Sequence, residues 1–212
     1  MRASTWIIIL SFFITFVTLR SPRLIGLLGF TPMDLVHLRL WTLVTALFIH
    51  SSIPHLLGNM LFLFVLGRTL ERVAGQARFL TVFFIGGILS FILSVPFYRR
   101  DIFMVGSSAA IFSVASADML ITPMTFSIIF LAPVGAVALL YLLYNIAMIY
   151  FGVSGSVAYI SHVIGFILGL PFGIVWSKNW RENLVISMLL LLVYLMVLWI
   201  LSMIVNVKII PY

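Results

Sequence analysis

The sequence predicts an all-α, polytopic helical membrane protein, and its composition is the first reason. Of its 212 residues, 64% are hydrophobic and only 8% are charged. A soluble globular chain has roughly 45–50% apolar and about 25% charged residues, so an ordinary soluble domain and a disordered chain are both excluded. The mean hydropathy of +1.28 agrees. The second reason is that the apolar residues are gathered into long runs.

Seven apolar runs follow one another along the chain, and each predicts one membrane helix. They cover residues 6–19, 55–73, 79–97, 108–122, 126–150, 157–176 and 184–207. A helix needs about 20 apolar residues to cross a bilayer, and the fourth run has only about 14, so it fits if it begins inside the membrane. We expect six helices to form a core over residues 1–176. A loop and a seventh transmembrane helix would follow over residues 177–212.

Residues 20–53, between the first and second runs, form a long segment of mixed composition. Arg, Pro, Asp and His residues interrupt the apolar side chains, and no stretch is apolar enough to span a bilayer. Irregular backbone is tolerated at membrane depth only where it packs on protein. We therefore predict a membrane-associated first loop that lies partly in the bilayer against the helices.

The charged residues indicate contact with a bilayer and not with nucleic acid. The net charge of +7 comes from 12 Lys and Arg residues against 5 Asp and Glu, and most of these residues lie in the breaks between apolar runs. Basic residues at such breaks anchor helices at lipid headgroups. They divide six to six between the two faces, so charge alone gives no orientation. Cysteine and the H-E-x-x-H motif are absent from the sequence, and no metal or cofactor is predicted.

Strongly polar side chains inside membrane helices are costly, and each is a functional candidate for that reason. They are His55, Asn59, Glu71, Ser107, Ser108, Asp118, Asn145 and His162. We interpret Glu71 as a brace for the second helix and the loop after it. For Asp118 and Asn145 three roles stay open: pairing with each other, capping a helix, or a part in function. The remaining residues predict a site.

Ser108 and His162 are predicted to meet near one end of two packed helices. Ser108 opens the fourth run beside Gly106, where the first backbone amides of a helix have no intrahelical partner and favour an anionic oxygen. His162 lies near the start of the sixth run. Small residues at a spacing of four permit close helix contact. The two stripes are formed by Gly165, Gly169 and Gly173 and by Ala109, Ser113 and Ala117.

A serine within reach of a histidine, with amide donors beside it, is the arrangement of an activated nucleophile with an oxyanion hole. The histidine takes the serine proton and returns it to the leaving amine. His55 and Asn59 lie on one helix face and are predicted to add donors on the oxyanion side. No nearby Asp orients His162, which predicts a Ser–His dyad. Phe112, one turn after Ser108, is predicted to stack on the imidazole.

At these residues the sequence resembles the rhomboid family of intramembrane serine proteases. The four motifs are His55-Leu-Leu-Gly-Asn59, Gly67-Arg-Thr-Leu-Glu71 followed by Gly75, Gly106-Ser107-Ser108-Ala109 and His162-Val-Ile-Gly165. They are similar to the family's H-x-x-x-N, G-x-x-x-E-x-x-x-G, G-x-S-G/A and A-H-x-x-G, in the same order. The resemblance implies that Ser108 is the nucleophile and His162 the base, with Asn59 and His55 as donors to the oxyanion.

The resemblance also implies a function and a location. The substrates would be transmembrane proteins, cut in or near their membrane segments without a cofactor. The protein would be a multi-pass protein of the cell membrane, with the active site opening to the extracytoplasmic side. The fifth helix and the loop around residues 151–157 would form the substrate gate and cap. The family's first loop often contains Trp-Arg, whereas Trp41 is here followed by Thr42 and preceded by Arg39, which leaves the anchoring of this loop open.

Two other functions are compatible with a helical membrane protein of this size. A catalytically silent relative would bind membrane proteins without cutting them, but such proteins usually lack the serine or the histidine, and this chain has both. A small transporter would be expected to contain internal repeats or broken paired helices, and no convincing repeat relates the two halves of the sequence. The sequence gives no prediction of the oligomeric state.

Overall fold

The computed structural model describes residues 2–153 and 158–209, with side chains through residue 204. Its helices are α1 (Ala3–Leu19), α2 (Pro22–Leu28), α3 (Pro32–Val36), α4 (Thr42–Thr45), α5 (Ile53–Phe62), α6 (Arg68–Ala74), α7 (Gln76–Ser94), α8 (Ser108–Ile121), α9 (Val134–Tyr150), α10 (Tyr159–Trp176) and α11 (Trp180–Ile209). A π-helical turn at Leu63–Gly67 joins α5 and α6 into one continuous helix, and short 3-10 turns occupy Ala46–Phe48 and Val95–Phe97.

The apolar helices confirm the predicted fold class of an all-α, polytopic membrane protein. Among the described residues, four helices are long and apolar enough to cross a membrane. These are Ile53–Ala74, Gln76–Phe97, Tyr159–Trp176 and Trp180–Ile204. Three further apolar helices are shorter, namely Ala3–Leu19, Ser108–Ile121 and Val134–Tyr150. The division into a core over residues 1–176 and an extension over residues 177–212 stays a prediction.

The short helix α8 lies at the centre of the bundle. Every side chain from Ser108 to Leu120 is buried, because α7, α9 and α10 all pack against this helix. A helix that is apolar on all sides is stable only when it is surrounded in this way. Small residues let the neighbours approach, as where Gly86 of α7 lies directly against the side chain of Ser113. The first turn of α8 is therefore held inside the protein.

The first loop contains three short helices in place of a span, and Arg39 anchors it. Its Nη2 donates to the carbonyl oxygens of Gly26 and Leu27 at 2.7 and 3.0 Å. Its Nη1 lies 3.1 Å from Asp34 Oδ1. Trp41 Nε1 donates to the same Leu27 carbonyl at 3.1 Å. The loop is thus anchored by an arginine and a tryptophan, although the Trp-Arg dipeptide is absent.

The predicted fifth span, residues 126–150, is wrong at its N-terminal end. Phe126–Ser127 and Ala132–Pro133 pair as two short antiparallel strands, β1 and β2, and the helix begins only at Val134. The apolar side chains of this hairpin lie at the surface, where Ile128 is 82% exposed. Because hydropathy does not distinguish an apolar hairpin from a helix, the run appeared longer than the helix is. The other apolar helices begin and end within a few residues of the predicted runs.

Glu71 connects the end of α6 to the start of α1. Its Oε1 accepts a hydrogen bond from the backbone N–H of Ala3 at 2.6 Å. Its Oε2 accepts from the backbone N–H and the hydroxyl of Ser4 at 3.1 and 2.6 Å. A carboxylate at a helix N-terminus satisfies unpaired amides and interacts favourably with the helix dipole. The partner that Glu71 braces is therefore the first helix.

Candidate active site

Ser108 and His162 meet where α8 begins, in the first turn of α10. The distance from His162 Nε2 to Ser108 Oγ is 2.7 Å, which is that of a well-formed hydrogen bond. The two residues are only 9% and 6% exposed. A hydroxyl within hydrogen-bond distance of an imidazole, and largely shielded from water, is what a histidine-activated nucleophile requires.

The separation of these two residues is set by close packing of α8 on α10. A Cβ atom at Gly165 would overlap the carbonyl oxygen of Ala109, and one at Gly169 would overlap that of Ser113. The hydroxyl of Ser113 also donates to the carbonyl oxygen of Gly165 at 2.7 Å. The two small-residue stripes therefore face each other, backbone against backbone. This contact holds the serine and the histidine at the same level of the bundle.

A third polar residue, Asn145 of α9, contacts the other side of the imidazole. Its Oδ1 lies 2.7 Å from His162 Nδ1, and its Nδ2 donates to the carbonyl oxygen of Tyr141 at 2.8 Å. Asn145 is 1% exposed. Of the roles left open for Asn145, pairing with Asp118 is not what the structure has, and the predicted dyad did not include this contact with the histidine. The available signal was an amide inside an apolar helix, which indicates a role without naming a contact.

Aromatic rings support the face of the imidazole. The Phe112 ring stacks on His162 with centroids 4.8 Å apart and planes inclined by 13°. Tyr141 stacks on the Phe112 ring at 3.9 Å, and Phe62 stacks on Tyr141 at 4.2 Å. Offset stacking of this kind favours a defined ring orientation. The Phe112 contact was among the sequence-based predictions, whereas Tyr141 and Phe62 were not.

His55 and Asn59 of α5 line the same cavity as the serine–histidine pair. The backbone N–H of Ser51 donates to His55 Nδ1 at 3.4 Å, so a neutral ring has its proton on Nε2. A Cβ atom at Gly106 would lie 3.0 Å from that Nε2, and the φ of +114° at this position also favours glycine. Asn59 Nδ2 donates one hydrogen to the His55 carbonyl at 3.1 Å, and an amide nitrogen has a second hydrogen to donate.

These side chains enclose one cavity of about 540 Å³. Its lining includes Ser108, His162, His55, Asn59, Tyr98 and Tyr141. The volume lies in the range of about 300–1,000 Å³ that is typical of ligand sites. The structure therefore places four of the predicted site residues around a single space, with Gly106 and Phe112 directly beside it. What these residues do chemically is a separate question.

A second serine–histidine contact lies outside this cavity. Ser107 Oγ is 3.4 Å from His50 Nε2, and His50 Nδ1 is 3.2 Å from Thr15 Oγ1. Ser107 and His50 have no exposed surface. Burial, and secondarily the charge of His55, lowers the pKa of His50 to about 3, so this ring is neutral at neutral pH. The pair connects α1, the first loop and the start of α8.

The other candidate residues are not brought to the site. Asp118 is fully buried, and its carboxyl oxygens have no hydrogen-bond partner among the described residues. His37 is exposed in the first loop. Of the predicted cap around residues 151–157, residues 154–157 lie outside the described part of the chain. Within that part, no group of three His, Asp or Glu side chains is placed to hold a metal ion.

Comparison with known proteins identifies the region that contains this site. The family model for the Rhomboid domain matches residues 37–179, which include the serine, both cavity histidines and the two asparagines. YdcA of Bacillus subtilis is 39% identical over 72 residues, 34% of this chain and 36% of that protein. RHOMBOID-like protein 7 of Arabidopsis thaliana is 36% identical over 84 residues, 39% of this chain and 26% of that protein.

A third relative carries an activity in its name. Rhomboid protease GluP of Bacillus subtilis is 36% identical over 77 residues, 36% of this chain and 15% of that protein. The matched segments thus span about a third or less of each of these three relatives.

Proposed function

Because this chain belongs to the rhomboid family, we propose that it is an intramembrane serine protease with Ser108 as nucleophile and His162 as general base. One observation carries the proposal, the 2.7 Å hydrogen bond from Ser108 Oγ to His162 Nε2 at the wall of the cavity. The chain is a multi-pass membrane protein, so its substrates would be membrane proteins cut in or near a transmembrane segment.

In the acylation half of the reaction, Ser108 Oγ attacks the carbonyl carbon of the scissile bond. Its proton moves to His162 Nε2, and the carbonyl electrons move to oxygen to give a tetrahedral oxyanion. When this intermediate collapses, the carbon–nitrogen bond breaks and the imidazolium gives its proton to the leaving amine. The N-terminal part of the substrate remains as an ester on Ser108.

The oxyanion would be stabilised by donors that already face the cavity. Asn59 has a hydrogen to donate besides the one bonded to the His55 carbonyl, and the His55 ring carries its proton on Nε2. The first amides of α8 have no partner within the helix. A single donor of this kind contributes about 10²–10³-fold to the rate of related hydrolases.

Deacylation needs water, which the cavity can supply. A water molecule attacks the ester carbonyl, its proton passes to His162, and the imidazolium then returns a proton to Ser108 Oγ as the acid is released. The cavity lining includes the exposed residues Ser51 and Ser52, which give water a route from one face. As in the family that the chain resembles, we place this face on the extracytoplasmic side of the cell membrane.

A substrate helix must unwind locally before its scissile carbonyl can reach Ser108. In a helix each internal carbonyl accepts a hydrogen bond from the amide four residues later, which holds it away from a nucleophile. Glycine and other poor helix formers lower the cost of breaking such bonds. Small or helix-breaking residues are therefore expected near the cleaved bond.

The test is labelling of the detergent-purified protein with a fluorophosphonate probe, which forms a covalent bond with an activated serine. Wild type is expected to be labelled, and Ser108→Ala and His162→Ala are expected to abolish labelling while the protein stays folded. Ser107→Ala is the matched control, because its hydroxyl is the neighbouring one and faces His50 instead of the cavity. This variant should retain labelling.

Two outcomes would contradict the proposal. Labelling that survives in Ser108→Ala but disappears in Ser107→Ala would show that Ser107, and not Ser108, is the nucleophile. Folded wild-type protein that neither reacts with the probe nor cuts a transmembrane test substrate would indicate a catalytically silent relative. The cleavage assay is included because a closed cavity could exclude the probe from an active enzyme.

A further inference from the structure

We infer that Asn145 is a positioning residue that holds the His162 imidazole in the orientation and tautomer needed to accept the Ser108 proton. The inference rests on the proposed protease function, and it adds α9 to the helices that build the site. The geometry behind it is a chain of three hydrogen bonds from the Tyr141 carbonyl through Asn145 and His162 to Ser108.

The direction of the asparagine amide is fixed by its own helix. Asn145 Nδ2 lies 2.8 Å from the carbonyl oxygen of Tyr141, and a carbonyl oxygen only accepts hydrogen bonds. Turning the amide over would set Oδ1 against that carbonyl oxygen, with two acceptors in contact. The NH₂ group must therefore face Tyr141, so Oδ1 faces His162 Nδ1.

The direction of the amide determines the tautomer of the histidine. Oδ1 only accepts, so the 2.7 Å contact with His162 Nδ1 requires the proton on Nδ1. A neutral imidazole with a proton on Nδ1 has its lone pair on Nε2, the atom 2.7 Å from Ser108 Oγ. The serine hydroxyl can then donate to the base, as acylation requires. The opposite tautomer would direct an N–H at the nucleophile and could not accept its proton.

The position of Asn145 makes this arrangement depend on α9. The first residues of α9, Val134–Ala138, are buried, whereas Tyr144 and Ile146 on either side of Asn145 are 51% and 44% exposed. The second half of this helix is therefore packed on the protein only along the side that carries Asn145. A displacement of this half away from α10 would break the bond to Nδ1 and leave the imidazole free to rotate or change tautomer. The ability of His162 to accept the Ser108 proton therefore depends on the position of α9.

The test compares Asn145→Ala and Asn145→Asp with wild type by probe labelling and by kinetics on a transmembrane substrate. Asn145→Ala should slow labelling and lower kcat by about 10- to 100-fold, with KM unchanged. This loss is smaller than the full contribution of a general base to the rate, because His162 itself is still present. Asn145→Asp keeps an acceptor at Nδ1 and should restore most of the rate at neutral pH. Its carboxylate stabilises the imidazolium, so the midpoint of the acid limb should move up by about 1 to 3 pH units.

One control variant separates positioning from simple packing. Asn183→Ala removes an amide of α11 that donates to the Leu120 carbonyl at 2.7 Å, and it should leave both the rate and the acid limb unchanged. Within the described part of the chain, the other titratable side chains that line this cavity or contact the imidazole are His55, Tyr98, Tyr141 and Tyr159. They are the same in all variants, so a moved acid limb would report the group at position 145.

Each outcome bears on one of the two proposals. Wild-type protein that is not labelled and does not cut would overturn the protease itself. If wild type is active and folded Asn145→Ala matches its rate, the positioning role is overturned and the protease proposal stands. If Asn145→Ala does not fold, Asn145→Asp decides, because a wild-type acid limb in that variant would overturn the inference.

Discussion

Two helices control the histidine, and they pack on α8 in different ways. The helix that carries it, α10, lies against α8 through glycines, with Gly165 and Gly169 directly over backbone carbonyl groups. The helix on its other side is α9. It contacts the site through two polar side chains, Asn145 on His162 and Tyr141 on the ring of Phe112. One contact is made by backbone and the other by rotatable side chains.

Because of this difference, the separation of the helices that carry Ser108 and His162 and the orientation of the His162 ring are controlled by different contacts. Backbone atoms in contact have no side-chain torsions to adjust, and a packed interior resists even small changes of volume. The separation of the two backbones that carry Ser108 and His162 should therefore be rigid. An orientation held by side chains can be altered by changing a rotamer or moving one helix, so it is the part of the site open to control.

Among the substitutions that test this comparison, Gly165→Ala should lower the cleavage rate most, because it disrupts the backbone contact between α8 and α10. The added Cβ overlaps the Ala109 carbonyl oxygen, so α8 and α10 must move apart. Overpacking of this kind costs about 1–3 kcal/mol of stability. A displacement of about 1 Å in the site can cost 10²-fold in rate, and a loss of at least that size is expected in the cleavage assay.

Gly26→Ala is the matched control for that substitution. A Cβ atom at Gly26 would meet nothing within 4 Å, so activity and thermal stability should stay at wild-type values. Full activity in folded Gly165→Ala would show that the α8–α10 contact is not rigid. The distinction between a rigid backbone contact at α10 and an adjustable side-chain contact at α9 would then be wrong.

Side-chain control beside Ser108 can be tested at His50, which contacts Ser107, the residue immediately before it. Its pKa is about 3 in the folded protein against 6.5 for an unperturbed imidazole. The unfolded chain therefore binds a proton that the folded chain does not as the pH falls below 6.5, and stability is lost over that interval. Between neutral pH and a pH of about 4, the free energy of unfolding is expected to fall by roughly 1–3 kcal/mol.

Thermal unfolding followed by tryptophan fluorescence measures this effect. His50→Gln keeps a hydrogen-bonding side chain that does not titrate, so its unfolding midpoint should fall less on acidification than that of wild type. His37→Gln, which replaces an exposed histidine of the same loop, is the matched control. Equal acid destabilisation of wild type and His50→Gln would contradict the burial argument.

The same contrast explains what the sequence could predict. The small-residue stripes and the motifs at Ser108 and His162 are local patterns along single helices, and in the structure the faces of α8 and α10 that carry the stripes lie against each other. The contact of Asn145 depends on where α9 lies relative to α10. No periodicity within α9 specifies that placement, because most of this helix is apolar on every side.

The boundaries of the membrane helices were predictable where apolar runs end in charged or helix-breaking residues. The start of α9 was not, because the apolar residues 126–133 form a hairpin that has the hydropathy of a helix. The three short helices of the first loop were not individually predictable either. Their geometry depends on Arg39, which bonds to carbonyl groups more than ten residues earlier in the chain.

The smallest effect should come from Phe112→Leu, which keeps an apolar side chain but removes the ring between His162 and Tyr141. An aromatic stack contributes about 0.5–1.5 kcal/mol beyond its buried area, which corresponds to about a two- to twelvefold loss of rate. The backbone contact between α8 and α10 is untouched, so the serine–histidine distance should be kept while the imidazole loses support on one face.

Phe83→Leu makes the matched comparison, because Phe83 is also fully buried and in contact with other rings. These are Phe79 and Phe84 of the same helix, α7, in tilted and edge-to-face contacts. Both variants should lose similar stability, and only Phe112→Leu should lose cleavage rate per folded molecule. Equal rates would mean that the aromatic stack serves packing alone. In that case Asn145 would be the one side chain through which α9 controls the orientation of the base, and the coupling inferred for that helix would depend on a single hydrogen bond.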